Sequence, residues 1–242
     1  MLQKLFLFST VAFLALYVYL VLEEGRELKV WENSPSTLNL YSTPQVCVED
    51  EETNAITTLA SDSELSNTSH ILNCGPCGKC SNRHDIQVYQ DTRHTLTTIA
   101  TQCTVQALFR GLDIDYVKHC LIQDSKMSVP CVDCWIINVQ CNWDNCFKTC
   151  IKHKVFPWLP SLYHRSHESP LDPCIECDER MCGPAFLECA GANRRRVGVV
   201  SDLQRNANLE ICDKADWDYI ESRNKNQETT IRSDSSSSSS EL

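Results

Sequence analysis

The sequence has no excess of positive charge, and this excludes one broad class of function. Its 242 residues include 22 Lys and Arg against 32 Asp and Glu, which gives a formal net charge of −10. Proteins that bind nucleic acids need a clustered positive surface to neutralise the phosphates. A general affinity for nucleic acid is therefore not expected.

Long apolar runs are also scarce, because only one stretch of the chain could span a bilayer. A protein with several membrane spans is therefore excluded. The apolar content of 42% and the aromatic content of 8% are enough to bury a core, which excludes collagen and full disorder. We expect one domain of ordinary size with flexible attachments.

The one long apolar run covers residues 5–22 and contains no charged residue. A helix of this length is about 27 Å long, close to the thickness of the hydrocarbon core of a bilayer. No small-residue cleavage site follows it, so a transmembrane signal anchor is preferred to a cleaved signal peptide. Lys4 precedes the run and Glu23, Glu24 and Glu27 follow it, which predicts a lumenal or extracellular body. The chain is then a single-pass membrane protein of the secretory pathway or cell surface.

Cysteine is the most unusual feature of the composition, with 16 residues. An even number of cysteines behind a secretory leader predicts a disulfide framework, because thiols pair in an oxidising compartment. Cys47 stands alone in an acidic segment and either folds back onto the domain or pairs with a second chain. The other candidates for disulfides are Cys74, Cys77, Cys80, Cys103, Cys120, Cys131, Cys134, Cys141, Cys146, Cys150, Cys174, Cys177, Cys182, Cys189 and Cys212.

The composition divides the chain into four segments. Residues 1–22 are the signal anchor or signal peptide, and residues 23–72 form an acidic, flexible stem. Residues 73–222 are the cysteine-rich domain, and residues 223–242 form a disordered, serine-rich tail. The sequon at Asn67 predicts a glycan on the stem, as in a secreted glycoprotein.

Within the domain, the patterning predicts a mainly α fold with at most one short β-hairpin. Several cysteines are four or seven residues apart in predicted helices and therefore share a helix face. Two cysteines seven residues apart on a helix are too distant to form a disulfide with each other. They must bond a neighbouring element. The expected elements are a strand at Ile86 and Val88, a helix from Asp91 or Thr92 towards Gly111, a helix from Asp113 or Asp115, and helices over about 132–152, about 184–194 and after Ser201.

The sequence Cys74-Gly-Pro-Cys77 is the dithiol motif of thiol–disulfide oxidoreductases, in which the first cysteine attacks a disulfide. Its surroundings do not fit that activity, since Asn73 precedes the motif and no amphipathic helix follows it. Gly-Pro between two cysteines is also a tight turn. A lumenal oxidoreductase that uses this pair is therefore kept as an alternative.

A zinc site is the second alternative. Cys74, Cys77 and Cys80 with His84 have the spacing of metal ligands, and C-x-x-C units recur at Cys131 and at Cys174. The next unit is more than fifty residues away, outside the usual range for a zinc knuckle. A secretory leader favours disulfides over zinc.

No nucleophile or zinc-protease motif surrounds the histidines, so a hydrolase is not favoured. The cluster Arg194–Arg196 follows a predicted helix, where cations interact well with the helix dipole; a site for an anion or an acidic partner is the other interpretation. We expect a membrane-tethered, disulfide-stapled domain with a binding or structural role, without a cofactor. An enzyme is not favoured, and the protein partner stays unidentified.

Overall fold

The computed structural model describes residues 44–155, 171–201 and 211–226, together with residues 14, 15, 17–19 and 22. The chain divides into two compact units. The sheet unit consists of Leu38–Ile137, Ala185–Asp202 and Ala207–Leu242, and the helical unit consists of Met1–Thr37, Asn138–Pro184 and Leu203–Asn206.

The sheet unit begins with a small antiparallel sheet. Its strands are β1 (Gln45–Asp50), β2 (Ile56–Ala60) and β3 (Ser69–Cys74), in the order β2-β1-β3. The central strand β1 is buried on both faces from Val46 to Glu49. Apolar side chains fill most of that space, whereas Glu49 brings a carboxylate into it.

Helices complete the sheet unit. They are α1 (Arg83–Asp91), α2 (Leu96–Leu108), α3 (Ile114–Ser125), the start of α4 (Val129–Asn145), most of α7 (Gly183–Ala190) and a last helical stretch over residues 217–226. The side chain of Asn82 accepts a hydrogen bond from Asp85 N and caps α1. Asp113 caps α3 in the same way, which confirms one of the two predicted starts of that helix.

The helical unit contains the end of α4, α5 (Phe147–Val155) and α6 (Pro173–Met181). Asp172 caps α6, and Pro173 lies in its first turn, where a missing N–H has no cost. Three disulfides cross-link this unit. Each joins one cysteine of the segment 141–150 to one cysteine of the segment 174–182. These bridges are Cys141–Cys182, Cys146–Cys177 and Cys150–Cys174.

Five further disulfides lie within the sheet unit. They are Cys47–Cys77, Cys74–Cys212, Cys80–Cys131, Cys103–Cys120 and Cys134–Cys189. All sixteen cysteines lie among the described residues, and none is free. The predicted disulfide framework is confirmed, as is the expectation that cysteines seven apart on a helix bond a neighbouring element. Cys47 folds back onto its own domain.

The predicted fold class is wrong in two respects, and the first concerns the strands. The structure has a three-stranded sheet instead of at most one hairpin, and its strands begin within the segment expected to be a flexible stem. The acidic residues there hid the short apolar alternation of Val46 and Val48. Residues 23–43 of that segment lie outside the described residues.

The second correction concerns the transmembrane helix expected over residues 5–22. No helix in the described part of the chain is both long and apolar enough to cross a bilayer. Within the segment, residues 14, 15, 17–19 and 22 are described and helical, and the others lie outside the description. The Tyr19 ring lies 5.8 Å from Nζ of Lys148, so this part of the segment contacts protein. Membrane attachment through residues 5–22 is therefore not supported.

Several element boundaries also differ from expectation. Ile86 and Val88 lie in α1 and not in a strand, because Ile86 and Tyr89 form a buried helical face. The helix expected over about 132–152 is two helices, separated at Cys146. The helix expected to reach residue 194 ends at Ala190. The helix predicted after Ser201 falls mainly on residues 202–210, outside the described ranges, as does the tail after residue 226.

Candidate functional site

A partly buried polar cluster lies where the C-terminal segment meets the sheet. Two contacts bring this segment to β3: the disulfide between Cys74 and Cys212, and a 2.8 Å hydrogen bond from Asp216 N to Ile71 O. The chain then becomes helical over residues 217–226. We define the Tyr219 cluster as Glu49, Glu51, His70, Arg83, Asp216, Tyr219 and Arg223.

His70 is held on three sides within this cluster. Its Nδ1 lies 2.7 Å from Oδ2 of Asp216, and its Nε2 lies 3.5 Å from Oε2 of Glu51. The ring stacks on Tyr219 with 3.8 Å between centroids and an interplanar angle of 4°. His70 is therefore fixed by a carboxylate at each ring nitrogen and by an aromatic ring on one face.

Glu49 and Arg83 form the most buried ion pair of the cluster. Arg83 Nε lies 3.1 Å from Glu49 Oε2, and the two side chains are 13% and 4% exposed. The sheet register places Glu49 directly opposite His70. Burial raises the pKa of Glu49, and the charges of Arg83 and Arg223 oppose that rise.

The pKa values of Asp216 and Tyr219 are moved in opposite directions. Burial alone would raise the pKa of Asp216, but hydrogen bonds from His70 and the N–H of Tyr219, with the charge of His70, lower it below its usual range. Burial raises the pKa of Tyr219, and the negative charge of Glu49 adds to the rise. These directions favour a charged carboxylate at Asp216 and a neutral phenol at Tyr219.

This geometry suits a structural contact better than acid–base chemistry. A general base needs a ring nitrogen within reach of a substrate proton. In His70, Nδ1 is engaged by Asp216, Nε2 is buried, and Tyr219 covers one face of the ring. The Tyr219 cluster therefore fixes the C-terminal segment to the sheet.

The connection between α2 and α3 exposes apolar side chains. We call residues 109–112 the hairpin tip. Phe109 is 87% exposed, and Leu112, which has a left-handed φ of 63°, is 42% exposed. The disulfide Cys103–Cys120 ties the two helices together. The hairpin tip therefore presents an aromatic side chain to solvent from a cross-linked support.

The structure does not bring the proposed redox pair together. Cys74 is bonded to Cys212, and Cys77 is bonded to Cys47. A dithiol oxidoreductase cycles between a reduced pair and a disulfide within that pair. The alternative built on Cys74 and Cys77 therefore has no matching geometry.

The proposed zinc ligands also diverge. Cys74, Cys77 and Cys80 are each bonded to a different cysteine, and His84 Nε2 lies 2.8 Å from the carbonyl oxygen of Lys126. A zinc ligand must be a thiolate, which a disulfide sulfur is not.

Among the described residues, one other group of potential metal ligands lies close together: Cys103, Cys120 and Asp124. Two of its three members form a disulfide, so it offers a single carboxylate. Such a group is too poor in ligands for a metal centre.

The Arg194–Arg196 cluster is buried in a turn that follows α7. Arg194 donates hydrogen bonds to the carbonyl oxygen of Arg93 and to Thr97 Oγ1, each at 3.1 Å. Arg196 donates to the carbonyl oxygen of Gly191 at 2.8 Å. These contacts join segments of the sheet unit and do not present the arginines to an external anion.

Asn67 lies exposed in the turn before β3. Its neighbour Thr68 donates a 2.9 Å hydrogen bond to Asp50 Oδ2, which fixes the turn against the end of β1. The Asn67 side chain is accessible, and glycosylation there stays a prediction.

Comparison with known proteins gives one match. The model of a family of unknown function (DUF8771) matches residues 114–214, from the start of α3 to just beyond Cys212. The matched span is less than half of the chain and does not include the three strands. No curated protein and no solved structure matches the chain.

The Tyr219 cluster could not be predicted from the sequence. His70 and Asp216 are 146 residues apart, and no local pattern links them. The one signal in the sequence that could have placed the segment around β1 in the domain was Cys47. A cysteine of this segment that bonds a cysteine of the domain must bring the segment with it.

Proposed function

We propose that this chain is a disulfide-stabilised domain of the extracellular space or the secretory pathway, and that it acts by binding a partner protein and not by catalysis. The observation that carries the proposal is the complete pairing of sixteen cysteines. Thiols in the cytosol are kept reduced, whereas secreted domains keep such bridges. Each compact unit contains its own set, five bridges in the sheet unit and three in the helical unit.

The hairpin tip supports the binding role. Large aromatic side chains on a rigid support are typical anchors of protein interfaces, because little conformational entropy is lost when they bind. Phe109 has this setting, with Leu112 beside it and the Cys103–Cys120 bridge behind it. The groups considered for catalysis or metal binding are engaged in contacts within the domain.

The first experiment tests the compartment and the state of the thiols. The full chain is produced in cells with its own N-terminus, and the secreted or lumenal material is denatured and treated with a maleimide. We expect no labelled cysteine before reduction and sixteen after it. A cytosolic protein with labelled thiols, or one pair that cycles with glutathione, would overturn the proposal.

The second experiment tests the binding surface. A photo-crosslinking amino acid replaces Phe109 in one variant and the exposed Gln102 of α2 in a matched control. We expect the variant at position 109 to form one cross-linked product of discrete mass on cells that make the protein naturally, and the control to form none. Equal products at both positions, or none at either, would contradict the role of the hairpin tip.

A further inference from the structure

We propose that the outer edge of β2 accepts an extended segment of a partner protein, which adds to the sheet as a fourth strand and carries basic residues on either side of the paired stretch. The inference rests on the proposed binding role and names the class of partner. Strand addition of this kind uses main-chain hydrogen bonds for affinity and flanking side chains for specificity.

The hydrogen-bond pattern fixes which groups of β2 face outwards. Asp50 N donates to Ala55 O at 3.0 Å, and Ser61 N donates to Pro44 O at 2.8 Å. Bonded pairs alternate along an antiparallel ladder, so Thr57 and Leu59 bond β1. Their neighbours therefore point away from it, and these are Ile56, Thr58 and Ala60.

These outward groups have almost no partners. The carbonyl oxygen of Ala60 accepts a 3.0 Å hydrogen bond from Ser63 N. The N–H and C=O of Ile56 and Thr58 and the N–H of Ala60 make no backbone hydrogen bond within the described ranges 44–155, 171–201 and 211–226. Five main-chain groups are thus available along one short edge.

The opposite edge of the sheet is covered. Ile71 O accepts a hydrogen bond from Asp216 N at 2.8 Å, and Cys74 N donates to Arg196 O at 2.8 Å. The C-terminal segment and the turn after α7 therefore protect β3. The contrast makes β2 the edge that a partner can reach.

The strand β2 also lacks the usual devices against pairing. Its sequence Ile-Thr-Thr-Leu-Ala has high β-propensity and contains no charge and no proline. The irregularity of the sheet lies between β1 and β3, not between β1 and β2. Thr58 Oγ1 accepts a 3.0 Å hydrogen bond from Cys77 N, and Cys77 is cross-linked to Cys47 on β1. The edge is therefore held in place before a partner arrives.

The charge around β2 indicates which kind of segment can pair with this edge. Residues 44–78 contain six acidic residues and no Lys or Arg, with exposed Glu52 before β2 and exposed Asp62 and Glu64 after it. In an antiparallel pair of two copies centred on Thr58, the acidic residue before β2 of each copy, Glu52, would lie at the same end of the pair as Asp62 and Glu64 of the other. Like charges across strands are destabilising, so a second copy is disfavoured. The acidic residues on both sides of β2 favour a partner strand that carries basic residues on either side of its paired stretch.

The test uses the full chain and the labelled peptide Lys-Lys-Thr-Val-Thr-Val-Thr-Lys-Lys, with N-methyl groups on alternate residues so that one peptide edge stays open. We expect saturable binding by fluorescence anisotropy at low salt, weakening as salt is raised. A peptide methylated on both edges should bind at least tenfold more weakly. A peptide with Glu in place of the four Lys should lose a similar factor.

Two protein variants complete the test. Ala60→Pro removes an outward N–H that β1 does not use and should weaken binding of the open-edged peptide at least fivefold, whereas Ala60→Thr keeps the N–H and should not. Equal binding of the peptide methylated on both edges, or no effect of Ala60→Pro, would overturn the inference. If peptide binding fails while the cross-link at Phe109 forms, only this inference falls. If the peptide binds but no cross-link forms at position 109, only the proposed role of the hairpin tip is wrong.

Discussion

Loss of the Arg83 side chain should be one of the most damaging single substitutions away from the disulfides. Arg83→Met removes the guanidinium that lies 3.1 Å from Glu49 and leaves an apolar side chain that reaches about as far as Nε, while the Glu49 side chain is 4% exposed in the wild type. Breaking a buried ion pair by removing one partner costs about 3 to 5 kcal/mol. Arg223 also acts on Glu49, so we expect the lower end, about 3 kcal/mol.

The pH dependence of this loss identifies its cause. Burial already raises the pKa of Glu49, and Arg83 is the largest influence that opposes the rise. Without Arg83 the folded protein should hold a proton on Glu49 more tightly than the unfolded chain does. The variant's deficit should therefore shrink as the pH falls from neutral through the raised folded pKa, because stability is lost as the pH rises through that value.

Chemical denaturation of the wild type, Arg83→Met and the double variant Glu49→Gln with Arg83→Met measures both effects. The double variant has no carboxylate at position 49 that could be left buried without a partner. It should recover at least half of the lost free energy of unfolding. A deficit below about 1 kcal/mol, or one that does not change with pH, would refute the view that an unpaired Glu49 causes it.

Three further predictions concern other parts of the sheet unit. Asp216→Ala should lower the free energy of unfolding by about 2 kcal/mol by removing a helix cap and a charged hydrogen bond, while Asp216→Asn keeps the cap and should cost about half. The difference in the free energy of unfolding between these variants and the wild type should decrease as the pH falls through the lowered folded pKa of Asp216, because the wild type then loses the stabilisation that the charged carboxylate provides. Gly78→Ala would push a methyl group into the backbone at the C-terminal end of α7 and should lower the free energy of unfolding by about 3 kcal/mol, measured by denaturation. Gly111→Ala, at φ +74° in open space, should cost only about 1 kcal/mol. Phe109→Ala should change stability by less than about 0.5 kcal/mol and shorten retention on a hydrophobic-interaction column; a large loss of stability would place that ring in the core.

Local signals predicted part of this fold correctly. Asp113 begins a helix because its side chain can cap a backbone N–H three residues on, and that relation is visible in sequence. Helical spacing showed that cysteines of α4 must bond a neighbouring element. Spacing could not give the partners, because each bond joins segments 17 to 138 residues apart.

The sheet was not predictable from the same signals. Its central strand carries Glu49 in a buried position, and three more acidic residues follow Glu49 directly, so the segment has the composition of a solvated stem. Burial of Glu49 depends on Arg83 and Tyr219, which belong to helices far along the chain. A strand of five or six residues shows its two-residue period only briefly, and here long-range contacts decided the structure.

The most direct test of the account is a disulfide map of the protein isolated without reduction, by proteolysis and mass spectrometry. We predict eight bridges, with Cys74 bonded to Cys212 and Cys77 bonded to Cys47. A bridge between Cys74 and Cys77, or cysteines recovered as free thiols, would contradict the claim that the cysteines of this chain are structural cross-links.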